Sequence, residues 1–147
     1  MEEQRRWTVR ILLVEDSRAL RLENERVLIK VGYEVICAED GESALQLARE
    51  RQPDLILLDL LLPKMSGLEV LEYLKSNPGT AQIPVVVLSA LYEKNRDKLM
   101  EAGAEDYLEK NSLMVNGQNL LPRVLEDVIC RINRKRGIAF ASVPTSH

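Results

Sequence analysis

Leu55-Ile56-Leu57-Leu58-Asp59 is a run of four apolar residues closed by an acid. It does not alternate apolar with polar, so a strand made from it is buried on both faces, as in a parallel sheet covered by helices. The same design recurs on either side. Val9-Arg10-Ile11-Leu12-Leu13-Val14 ends on Glu15 and Asp16, Val85-Val86-Val87-Leu88 ends on Ser89, and Tyr107-Leu108-Glu109 ends on Lys110. Ligands of parallel α/β sheets bind beyond the carboxyl ends of the strands, so these polar residues place the chemistry on one edge.

Outward from that stretch the chain alternates. Strands are expected near residues 9–15, 34–38, 55–59, 85–89 and 106–109, with helices near 17–31, 41–51, 67–76, 94–102 and 119–136. Ser17 is placed to cap the first helix, Gly32 to end it and Gly103 to end the fourth, while Pro53, Pro63, Pro78 and Pro84 fall between elements. The last helix carries Pro122 in its first turn and an apolar stripe of Leu121, Leu125, Val128, Ile129 and Ile132 that should pack on the sheet. One domain over residues 1–136 accounts for the pattern, and residues 137–147 read as a flexible tail in which the lone histidine, His147, has no role.

The totals fit this frame. A chain of 147 residues, 46% hydrophobic and 29% charged, can bury the core of one domain but not of two. Its formal charge of −3 gives no general attraction to nucleic acid or to an anionic membrane. The basic run Arg131, Arg134, Lys135, Arg136 is expected to complement a helix C-terminus and stay solvated. Cys37 and Cys130 lack metal-ligand spacing and are expected to be buried free thiols in a reducing compartment. No signal-peptide core follows the first residues, and Asp59 and Lys64 interrupt the longest apolar stretch, so the expected location is the cytoplasm.

Glu15, Asp16 and Asp59 bring three carboxylates together, with Lys110 the cation that can be assigned to them. A divalent ion would neutralise the remainder, and oxygen-only ligation suits magnesium rather than zinc. Magnesium in turn implies a phosphoryl group, whose transfer needs a metal, an ammonium and a hydroxyl donor more than it needs covalent chemistry. Asp16, Lys110 and Ser89 supply these, which leaves Asp59 as the carboxylate nucleophile. Taken singly, Asp16 could cap a helix, Ser89 could merely end a strand, and Lys110 is a common surface residue. It is their convergence that points to a site.

Val14-Glu15-Asp16, the segment from Asp59 through Pro63 and Lys64 to Gly67, Ser89-Ala90 and Tyr107-Leu108-Glu109-Lys110 together resemble the receiver domain of bacterial two-component response regulators, of the single-domain, chemotaxis-regulator type. The resemblance covers about residues 9–134. It implies a flavodoxin-like doubly wound α/β fold with a five-stranded parallel sheet in the order 2-1-3-4-5 and five helices. It also implies that Asp59 takes phosphate from a histidine kinase or phosphotransfer protein, that Asp16 and Asp59 bind Mg2+ directly, that Glu15 holds it through water, and that the main-chain carbonyl of Leu61 completes the protein ligands. Ser89 and Lys110 would contact the phosphoryl oxygens, and Tyr107 matches the family's switch aromatic. The output would be a protein-binding surface on the fourth helix, fifth strand and fifth helix, which could also carry a homodimer. On this reading the chain is a phosphoacceptor rather than an enzyme, acting alone or as a fragment of a longer protein on a downstream protein target.

Three features depart from the family pattern. Asn111 stands where proline usually follows the lysine, so a trans Lys110–Asn111 bond is expected, a cis bond without proline costing about 2.5 to 4 kcal/mol. Residues 111–118 form a longer connection than usual, expected as a less ordered or displaced loop on the rim of the site. Asn24 interrupts the inward stripe of the first helix and calls for a polar neighbour. Leu61 and Leu91, which cannot orient water, are expected to shield an aspartyl phosphate from hydrolysis, or else to add to an exposed apolar patch. Two alternatives stay open: a receiver-like interaction module that never sees phosphate, and an aspartate-nucleophile phosphatase of the haloacid dehalogenase type. The latter wants a second acid where Leu61 stands.

Overall fold

The computed structural model describes residues 8–90 and 96–137. Five parallel strands, β1 (Arg10–Val14), β2 (Glu34–Ala38), β3 (Leu55–Asp59), β4 (Val85–Ser89) and β5 (Asp106–Glu109), form a sheet in the order β2-β1-β3-β4-β5. Helices α1 (Arg18–Lys30), α2 (Gly41–Arg51), α3 (Gly67–Ser76), α4 (Arg96–Glu101) and α5 (Leu121–Arg136) connect or follow them. The expected fold class, strand order and helix number are those observed. Residues 94 and 95 of the expected fourth helix, Leu91, and residues 138–147 of the expected tail lie outside the described residues.

Strand periodicity divides the core. Leu12, Val14, Ile56, Leu58, Val85 and Val87 face Ala44, Ala48, Val70, Leu71, Leu74 and Leu99 of α2, α3 and α4. Their neighbours Ile11, Leu13, Leu55, Leu57, Val86 and Leu88 face Leu28 of α1 and the full apolar stripe of α5. Every residue of β3 is buried, which is why that run could be apolar without alternation.

Local chemistry sets the ends of the elements. Ser17 caps α1 by accepting from the amide of Leu20, and Ser66 and Glu69 make a reciprocal capping box at the start of α3. Gly67 is fixed by space: a Cβ there would lie 2.6 Å from the carbonyl oxygen of Asp59 and from Cα of Leu60. Its amide donates to the carbonyl of Leu60 at 2.9 Å, so α3 docks directly on the backbone that carries Asp59.

The connection after Lys110, expected as a less ordered or displaced loop, holds regular structure. A 3-10 turn, Lys110–Ser112, leads into an antiparallel hairpin of β6 (Met114–Val115) and β7 (Gln118–Asn119). Asn116 and Gly117 close it with φ of 51° and 77°, the paired positive values of a type I′ turn. The hairpin is tied down by Leu120 N–H donating to the carbonyl of Leu113 at 2.7 Å. Asn119 donates from Nδ2 to Oδ1 of Asn24 at 2.9 Å and accepts from the amide of Leu121 at 3.0 Å, so one amide side chain partners the Asn24 oxygen and takes up the first amide of α5. The last helix accordingly starts at Leu121 rather than at Asn119. No described peptide bond is cis, so Lys110–Asn111 is trans as expected.

Two surface expectations are corrected. Cys130 is exposed, while Cys37 is half-buried and burial pushes its thiol up to about 11. The basic run is only partly free: Arg131 donates to Asp106 at 2.6 Å, and Arg136 pairs with Glu105 and donates to the carbonyl of Gln82 at 2.6 Å. These arginines join α5 to β5 and to the chain leading into β4.

Candidate functional site

β1 and β3 are adjacent and in register, Val14 beside Leu58, so the residues that follow them emerge side by side. One carboxylate oxygen from each of Glu15, Asp16 and Asp59 lies within 4.8 Å of the others. Ser89, beyond Leu88 on β4, and Lys110, just after β5, come from the two strands on the other side of β3.

The three acids are held differently. Glu15 is buried and committed: Oε1 accepts from Lys110 Nζ at 2.8 Å, Oε2 accepts from the amide of Ser17 at 3.2 Å, and its own amide donates to the carbonyl of Ala38 at 3.0 Å. Asp59 is buried too, its Oδ1 lying 3.2 Å from Lys110 Nζ and accepting from the amide of Leu61 at 3.3 Å. Asp16 is exposed and opens the cluster to solvent. Ser89 is fully buried.

Burial, then the charge of Glu15, works against ionisation of Asp59, and Lys110 offsets this only in part, so the Asp59 carboxyl is pushed up to about 6. Burial works against the charge of Lys110, but hydrogen bonds and charge from Glu15 and Asp59 outweigh it and hold the ammonium above its ordinary value. Among the described residues, Lys110 is thus the one ammonium paired with Glu15 and Asp59, and the exposed Asp16 carboxylate stands beside them. A hard divalent cation is what the oxygen donors fit.

Tyr107 is buried among the residues that face α4, in the cluster with Leu99 and Ala104. Leu61, two residues after Asp59, is 57% exposed. Reading the sequence missed Arg21, whose Nη1 donates to the carbonyl of Glu15 at 2.8 Å and lies 3.5 Å from that of Asp16. Nothing in its spacing marks it off from the other arginines of α1.

A family model described as the response regulator receiver domain matches residues 11–121. The chain belongs to the response regulator receiver family. DivK of Brucella anthropi, a polar-differentiation response regulator, is 41% identical over 102 residues, covering 68% of this chain and 82% of that protein. The phosphate regulon transcriptional regulatory protein PhoB of Shigella flexneri is 36% identical over 143 residues, covering 94% of this chain and 62% of that protein, so the receiver described here spans less than two thirds of that relative. Among solved structures, the receiver domain of a sensor histidine kinase from Pseudomonas aeruginosa, with magnesium coordinated in its active site cleft, superposes with a TM-score of 0.71 at 29% identity, covering 84% of this receiver and 98% of that chain. The acidic pocket of Glu15, Asp16 and Asp59 suits the phosphorylation site of a receiver. No described helix is long and apolar enough to cross a membrane.

Proposed function

We propose that Asp59 accepts a phosphoryl group from the phosphohistidine of a kinase or phosphotransfer protein, and that the chain is a switch driven by this modification. The supporting observation is the buried Asp59 carboxylate set between an exposed aspartate, a buried glutamate and the ammonium of Lys110. An Asp59 oxygen bonds to phosphorus as the phosphorus–nitrogen bond to the donor imidazole breaks, and the electron pair stays on the imidazole nitrogen, which then takes a proton. Lys110 moves from pairing with carboxylates to neutralising a phosphoryl oxygen, and Ser89 donates its hydroxyl to another. Asp16 and Asp59, the main-chain carbonyl of Leu61 and, through water, Glu15 would hold Mg2+, which when bound draws charge from the phosphoryl oxygens. The donor set, all oxygen and in acidic excess, supports that assignment.

Phosphate would draw Ser89 and bias Tyr107 between two packings on the α4 side, altering the surface of α4, β5 and α5 that a downstream protein, or a second copy, recognises. The chain would therefore act as a phosphoacceptor and not as a turnover enzyme. Incubation with acetyl phosphate followed by intact-mass spectrometry tests the core of this. Wild type should gain one phosphoryl group with magnesium and none with a chelator. Equal labelling of wild type and Asp59→Asn would overturn the assignment of Asp59, and a wild type that takes no label with magnesium would favour a module that phosphate does not control.

A further inference from the structure

The turn from β1 into α1 carries two of the three acids, and it is clamped from both sides. On the sheet side, the amide of Glu15 donates to the carbonyl of Ala38 at 3.0 Å. On the helix side, Arg21 Nη1 donates to the carbonyl of Glu15 at 2.8 Å and reaches that of Asp16 at 3.5 Å. Arg21 is itself fixed in the first turn of α1, its amide donating to the carbonyl of Ser17 at 2.9 Å. These contacts orient the peptide planes at residues 15 and 16, and so set the directions in which the Glu15 and Asp16 carboxylates leave the backbone.

We infer that Arg21 is a positioning residue for the divalent-cation site: its guanidinium grips the main chain of the two acids and aims their side chains at Asp59. This rests on the cation site proposed above. Two effects of the guanidinium oppose each other, which makes the sign of the outcome decisive. As a nearby positive charge it would repel a cation, so its removal would tighten binding. As a clamp on the ligand backbone it preorganises the site, so its removal loosens binding, and groups that orient metal ligands typically matter tenfold or more.

The experiment is calorimetric titration of magnesium chloride into the metal-free wild type, Arg21→Ala and Arg21→Lys, with thermal melting in chelator and acetyl phosphate labelling at saturating magnesium beside it. Arg21→Ala should bind magnesium roughly tenfold more weakly. Arg21→Lys, which keeps the charge and one directed donor, should fall between the two. Labelling of both variants should recover the wild-type rate once magnesium is in excess, because Arg21 touches the backbone of the ligands and not the phosphoryl group. A wild type that does not bind magnesium would strike down the cation site itself. A wild type that binds while Arg21→Ala binds equally or more tightly would overturn the inference alone, as would a labelling rate that excess magnesium fails to restore. If Arg21→Ala does not fold, the affinity of Arg21→Lys decides, and a value equal to wild type counts against the clamp.

Discussion

Two aspartates are buried in this receiver, Asp59 at 3% exposure and Asp106 at 8%, and their surroundings are opposite. Asp106 has cations to spare: Arg131 lies 2.6 Å from one oxygen and Arg96 3.9 Å from the other, while its Oδ1 also accepts from the amide of Tyr107 at 2.7 Å. Asp59 shares one ammonium with Glu15 and has Asp16 beside it. A buried carboxylate that is fully paired is a closed structural joint, here linking α4, β5 and α5. One left short of positive charge is costly to the resting protein and leaves room for a cation and a phosphoryl group to complete it. Burial alone does not separate structure from function; the local charge balance does.

The largest expected effect breaks the comparison at Asp59. Asp59→Asn should abolish acetyl phosphate labelling, and in chelator it should melt higher than wild type, by on the order of 1 kcal/mol, because a buried like charge is removed. A lower melting temperature would mean that Asp59 stabilises the fold as Asp106 does. Next, Lys110→Ala should slow labelling by about two orders of magnitude, the typical loss when one oriented donor to a developing charge is removed. An unchanged rate would take Lys110 out of the chemistry.

Asp106→Ala should do the converse, with labelling at saturating magnesium preserved within about twofold and stability lowered by about 1 to 2 kcal/mol, an amount kept small by the exposure of both arginines. Guanidinium denaturation and the labelling assay together would show whether the two aspartates divide the work in this way. The smallest effect is a pH slope. With the folded Asp59 carboxyl near 6, above its value of 3.8 in an unfolded chain, the native state holds this proton more tightly. The penalty for a charged Asp59 is therefore fully present above pH 7 and is relieved as pH falls through about 6 toward 4. In chelator the stability difference between Asp59→Asn and wild type should shrink over that window, and a difference that is flat or grows would contradict the sign.

The sheet and its reactive edge were legible because their physics is local to each strand. Apolar runs without alternation, such as 55–58 and 85–88, demand burial on both faces, and the polar residue after each run must then lie on the ligand edge. The hairpin after Lys110 was legible in principle, since Asn116-Gly117 is a strong turn dipeptide; its flanking strands are only two residues long, too short for an alternation to show. Asn24 was recognised as needing a partner, but the partner, Asn119, is supplied by the tertiary fold across 95 positions. Arg131 and Arg136 read as solvated because their acids, Asp106 and Glu105, come from β5 and the turn before it, and Arg21 was missed because it contacts main-chain carbonyls, whose directions no residue pattern encodes.

The central claim, that the charge-deficient aspartate is the reactive one, is tested most directly by mapping the modified residue. Phosphorylated protein is reduced with borohydride, which converts an acyl phosphate to an alcohol, and the peptides are sequenced by mass spectrometry. The alcohol is expected at Asp59, in samples prepared with magnesium only, with Asp16 and Asp106 intact. Reduction at Asp16 or Asp106, or at Asp59 irrespective of magnesium, would contradict it.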